Sequence, residues 1–105
     1  MRVRDRATLD LLILAAVHDE PGDGAAVAGL VRERSGGVVE LGPGTVHRAL
    51  HRLERNRLVH RPPGTTGYRL RPSGTRVLHR RRRDFEHWVD VVRAVLPAGG
   101  DDRGR

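Results

Sequence analysis

The chain contains no cysteine and no lysine, and only Tyr68, Phe85 and Trp88 are aromatic among its 105 residues. Without cysteine there is no disulfide framework and no thiolate metal site. So few aromatics argue against a binder of single-stranded RNA, which stacks bases on aromatic faces. Long apolar runs are missing as well. Leu11–Val17 is followed at once by His18, Asp19 and Glu20, so it is too short to cross a bilayer, and nothing resembles a signal peptide. The expectation is a soluble cytoplasmic protein with no membrane partner. No Ser-His-Asp set and no paired carboxylates stand out. "GPGT" (Gly42–Thr45) lacks the lysine and spacing of a phosphate-binding loop. Neither an enzyme nor a cofactor is expected.

The last absence is local. Residues 42–83 hold twelve arginines and a single acid, Glu54, a net charge of +11 in a chain whose total is +7. The flanking segments are each net acidic. A G- and C-rich genome accounts for arginine in place of lysine, but not for acids vanishing from one segment. The alternatives are a solvated charge run and a surface that meets a polyanion, and the second fits the asymmetry better.

Apolar spacing supplies the elements. Leu9, Leu12, Ile13 and Ala16, widened by Leu11 and Leu14, predict a central helix from about Arg6 to Asp19. Asp23 reads as the N-cap of a second helix, Gly24 to Arg34, with Val27, Leu30 and Val31 facing inward. Gly36 and Gly37 stop it. Val38–Leu41, "VVEL", reads as a small strand. Pro43 opens a third helix with Gly42 at its cap. Val46, Leu50 and Leu53 form its apolar face, and Asn56 is expected as its left-handed end. Arg57–Arg61, Pro62–Gly67 and Tyr68–Leu70 read as strand, turn and returning strand. Pro72 opens a long last helix reaching Pro97. The fold class is therefore mainly α with a small β-hairpin wing: a winged helix-turn-helix plus a long C-terminal dimerisation helix. Residues 1–71 form the DNA-binding region, 72–97 the dimerisation helix and 98–105 a flexible tail, within one compact domain.

Helices two and three form the helix-turn-helix pair, whose second helix enters the major groove. Opposite its apolar face lie Thr45, His47, Arg48, His51, Arg52 and Arg55. Thr45 and the first amides point towards phosphate. Arg48 and Arg52, one turn apart, are expected to reach base edges, where a guanidinium fork suits guanine. Arg55 is expected at a phosphate. In the wing, Arg61, Thr65, Thr66 and Arg69 are expected on the DNA. His47 and His51 have a spacing able to hold a metal, but no acid or cysteine joins them, and exposed polar positions are the expectation. Arg80–Arg83 point all round their helix, so they do not form one contact face. Leu78, Phe85, Trp88, Val89, Val92, Val95 and Leu96 form a stripe that no remaining segment can cover. A second copy of the chain can cover it.

The stretches "LDLLILAAVHDEPGDG", "GPGTVHRALHRLERNRLV" and "YRLRPSGTRVL" resemble the PadR-type transcriptional regulators of bacteria, over about residues 8–96. His47 and Arg48 stand where that pattern has tyrosine and often proline, and Arg71 where it has threonine. The resemblance implies a homodimeric repressor on a pseudo-palindromic double-stranded DNA site. Some regulators of this kind hold a flat aromatic effector at the dimer groove, a contact open to Trp88, for which an interface tryptophan is the preferred reading. A protein-interaction module on a winged-helix fold, without sequence-specific DNA binding, is the alternative.

Overall fold

A computed structural model of the chain describes Val3 and residues 5–98; the tail expected from residue 98 onward lies, apart from Ala98, outside the described residues. Helix α1 runs Arg6–Asp19 and α2 runs Gly24–Arg34, the spans predicted from spacing and caps. The caps are local chemistry. Asp5 accepts from the Ala7 amide (3.3 Å) and the Thr8 hydroxyl (2.8 Å), and Asp23 accepts from the Ala26 amide (2.9 Å). Each satisfies amides that the first helical turn leaves without partners.

Residues 38–41 form no strand. The Ser35 hydroxyl accepts from the Val39 amide (2.9 Å) and bonds the Arg32 carbonyl (3.1 Å), closing a local loop in place of a ladder. Val39 and Leu41 still pack against the core.

Helix α3 runs Pro43–Arg55, with Gly42 at the cap and no side-chain bond there. Its end differs from expectation by one residue. Asn56 keeps φ at −85° and Arg57 takes the left-handed conformation, φ 61°. The Leu58 amide bonds the Leu53 carbonyl (3.0 Å) and the Arg57 amide bonds the Glu54 carbonyl (2.9 Å). That double closure requires the left-handed residue immediately before the apolar residue that returns to the core, and Leu58 is that buried residue.

Strands β1 (Val59–His60) and β2 (Arg69–Leu70) pair antiparallel, Val59 with Leu70 and His60 with Arg69. Tyr68, expected in the returning strand, instead bridges to Gly22, its amide donating to the Gly22 carbonyl (2.7 Å). The wing is thus tied to the turn between α1 and α2. Helix α4 runs Pro72–Val95. Its first turn lies so close to the residue preceding β1 that a Cβ on Gly74 would be 2.0 Å from the Leu58 carbonyl oxygen.

Ile13, Leu14, Val17, Val27, Val46, Leu50, Leu53 and Val59 are fully buried around α1, which packs against the other three helices and β2. Removing such a side chain from water stabilises the fold by about 1.5–3 kcal/mol. The architecture is a winged helix with an extended last helix, as the sequence predicts.

Candidate nucleic-acid interface

The apolar face of α3 decides which residues are left outside. With Val46, Ala49, Leu50 and Leu53 buried, His47, Arg48, His51 and Arg55 stand exposed along the opposite side. Thr45 is half-buried on one shoulder. The Arg48 side chain folds back over the first turn, its Nη1 only 3.1 Å from where a Gly44 Cβ would sit. A cation therefore lies beside the end of the helix where the dipole is already positive and the cap supplies no side-chain acceptor. That combination attracts an anion. The His47 and His51 rings lie side by side, centroids 4.2 Å apart and planes tilted by 46°. Among the described residues no group of three or more potential ligands gathers around a metal position.

Arg52 is placed elsewhere than expected for a base reader. Its Nη2 donates to Asp10 Oδ1 of α1, and its side chain is only 20% exposed. At about 100° per residue, Arg52 falls on the shoulder of α3 that turns towards α1, and an acid waits there. Asp10, the one buried charged residue among those described, is a residue that sequence reasoning missed. Its signal was an acid inside the apolar run of "LDLLIL". Gly74 was missed in the same way, although a glycine within a helix costs about 1 kcal/mol relative to alanine and asks for a packing reason.

The wing carries one arginine just after β1 and one on β2. Arg61 follows β1 and its guanidinium lies over the Tyr68 ring, 5.6 Å from the centroid. Arg69 stands exposed on β2. At the tip, Gly64 has φ 80° and the Thr65 hydroxyl donates to the Pro62 carbonyl (2.8 Å). The proton of Thr65 thus serves the turn, and Thr66 is exposed beside it.

The C-terminal ends of α1 and α2 are held together by charge. Asp19 accepts from His18 (2.7 Å) and from Arg34 of α2 (2.5 Å). These bonds, His18 first and Arg34 second, hold its carboxyl below the usual aspartate value. Along α4 the arginine run turns round the helix as expected. Arg80 and Arg83 are exposed, Arg82 pairs with Glu86 (3.2 Å), and Arg81 packs inward with its Nη1 buried and unpartnered.

Phe85, Trp88, Val95 and Leu96 are 49, 62, 80 and 60% exposed, and Val89 and Val92 are half-buried. Val91 adds to the exposed set. Leu78 does not belong with them. It is 6% exposed and part of the core, because α4 still lies against the domain at that turn. Trp88 stands between two shallow grooves. One, of about 410 Å³, also takes in Thr8, Leu11, Arg81 and Phe85. The other, of about 330 Å³, runs on to Val92 and Leu96. No helix among the described residues is long and apolar enough to cross a membrane.

Residues 13–80 match the transcriptional regulator PadR-like family. Among solved structures, a transcriptional regulator from Clostridium thermocellum is similar at a TM-score of 0.80 and 21% identity, over 88% of this chain and 93% of the other. A PadR family transcription regulator from Clostridium difficile is similar at 0.71 and 25% identity, over 85% and 98%. A PadR-like transcription factor from Bacteroides fragilis is similar at 0.71 and 18% identity, over 87% and 92%. No curated protein matches the chain. The family match runs from the centre of α1 through the recognition helix and wing into α4, and the chain belongs to the PadR-like family of transcriptional regulators.

Proposed function

We propose that the protein is a homodimeric repressor that reads a pseudo-palindromic operator in double-stranded DNA. The observation that carries this reading is the outward face of α3, where His47, Arg48, His51 and Arg55 stand exposed with no acid among them. Arg48, beside the first turn, would reach a base edge, and Arg55 would neutralise a phosphate. Arg61 and Arg69 extend the cationic surface onto the wing, where the Thr66 hydroxyl is exposed as well.

Dimerisation rests on α4. Large apolar side chains exposed in a row mark an interaction surface, and a twofold axis would bring the same stripe of a second copy against it. Two recognition helices would then meet half-sites about one DNA turn apart. A flat aromatic effector stacked on Trp88 would act by changing how the two α4 helices pack, and so the spacing of the two recognition helices.

Repeated selection from a randomised duplex pool, followed by sedimentation of the complex, tests the reading. An inverted repeat bound by two chains is the expected result. A selected pool without symmetry, or one chain per duplex, contradicts the dimeric operator. Retention of a protein partner together with indifference to duplex sequence would instead support an interaction module.

A further inference from the structure

Asp10 occupies a position where an apolar residue would be ordinary. Its neighbours on α1, Leu9, Ile13 and Leu14, are core residues, and it is itself 7% exposed. Its carboxylate holds Arg52 of α3 across 42 residues of sequence. The guanidinium is only partly satisfied there, since its Nε is buried without a partner. Buried ion pairs of this kind add little net stability over well-packed apolar side chains. The clearer physical consequence is where the Arg52 charge is kept.

On α3, Arg52 lies one turn beyond Arg48 and roughly 40° round the helix from it. An arginine at that position, extended into solvent, would place a further cation beside Arg48 and Arg55. Each phosphate neutralised strengthens binding to any duplex, because counterion release is indifferent to sequence. Discrimination comes from base edges. A surplus cation on the reading face therefore raises non-specific affinity without raising preference.

We propose that Asp10 is a specificity-determining positioning residue: it keeps Arg52 against α1 and out of the DNA groove. This rests on the DNA-binding reading above. Asp10 touches no nucleic acid itself and acts only through Arg52. Arg48 and Arg55 are left as the arginines of the exposed face.

The test compares the wild-type chain with Asp10→Asn, Arg52→Gln, the double variant, and Asp90→Asn, which makes the same charge change on exposed α4. Affinity for a scrambled duplex is measured against salt, and elution from immobilised heparin is measured in parallel. Asp10→Asn is expected to steepen the logarithmic salt slope by about 0.9, one further phosphate. Its preference for the selected site over the scrambled duplex should fall several-fold. The double variant and Arg52→Gln should keep the wild-type slope, as should Asp90→Asn. An unchanged slope in Asp10→Asn, or a steepened slope that persists in the double variant, overturns the proposal. If Asp10→Asn fails to fold, Arg52→Gln decides alone: a slope shallower by about 0.9 would put Arg52 on a phosphate already in the wild type. If the wild-type chain shows no sequence preference, the regulator reading falls. Heparin elution then still decides whether Asp10→Asn, unlike Asp90→Asn, exposes a cation that the double variant lacks.

Discussion

Two arginines on one face of α3 are expected to fail in different ways. Arg48 lies over the first turn, where a fork can meet a base edge. Arg48→Ala should cost about 1–3 kcal/mol on the selected site and relax preference at one position. Arg55→Ala should weaken binding to all duplexes alike and make the salt slope shallower by about 0.9. Fluorescence anisotropy titrations of both variants at several salt concentrations separate the two patterns; identical patterns would refute the assignment. Two glycines give a matching contrast in stability. A Cβ on Gly74 would strike the Leu58 carbonyl oxygen at 2.0 Å, whereas one on Gly44 meets only the flexible end of Arg48 at 3.1 Å. Gly74→Ala should lose about 2–3 kcal/mol, read as a fall of roughly 10 °C or more in Tm. Gly44→Ala should leave Tm nearly unchanged, since only a side-chain end has to move. These residue-scale facts are also where the sequence is least legible. The exposed face of α3 could be read from Val46, Leu50 and Leu53, because helical spacing is local. The partner of Arg52 could not, because Asp10 reaches it only through the tertiary packing of α1 on α3.

At the scale of the element, caps and punctuation carried most of the information. Asp23, Pro43 and Pro72, read from the sequence, each stand at the start of a helix, and the structure adds Asp5 as the cap of α1. Asp23→Ala should therefore cost about 1 kcal/mol in chemical denaturation, the usual worth of such a cap. The weak points were elements whose fate is settled by a neighbour. Val38–Leu41 has strand-like composition but forms no strand, and Ser35 claims the Val39 amide instead. Asn56 suits a left-handed residue, yet closure onto Leu53 and Glu54 places that conformation at Arg57. The junction of α1 with α2 also has a pH signature. Asp19 is held below its usual value of 3.8 by His18 and then Arg34. A carboxyl lowered in the folded state contributes stability that is present above the ordinary value and is lost as pH falls through the lowered one. Thermal unfolding followed from pH 6 down to pH 2 should therefore show a loss of stability below about pH 4 that is smaller in Asp19→Asn. An identical acid limb in the variant would contradict the clamp.

For the whole molecule, charge and exposed apolar surface lie at different parts of the fold. The basic segment supplies recognition helix, wing and the start of α4, while the far half of α4 carries Phe85, Trp88, Val95 and Leu96 in solvent. Trp88→Glu combined with Val92→Glu should convert dimer to monomer in sedimentation and weaken operator binding. Its effect on the intrinsic stability of the winged helix should be small, because Leu78 is the last core residue of α4. A double variant that remains dimeric would place the interface elsewhere. The most direct test of the account as a whole is the ratio of affinities for the selected duplex and a scrambled duplex of equal length, titrated together over a range of salt. The account predicts a preference of about 10³ or more at physiological salt, retained in part as salt rises. Equal affinities that vanish together with salt would mean that the basic face of α3 and the wing is only a polyanion surface.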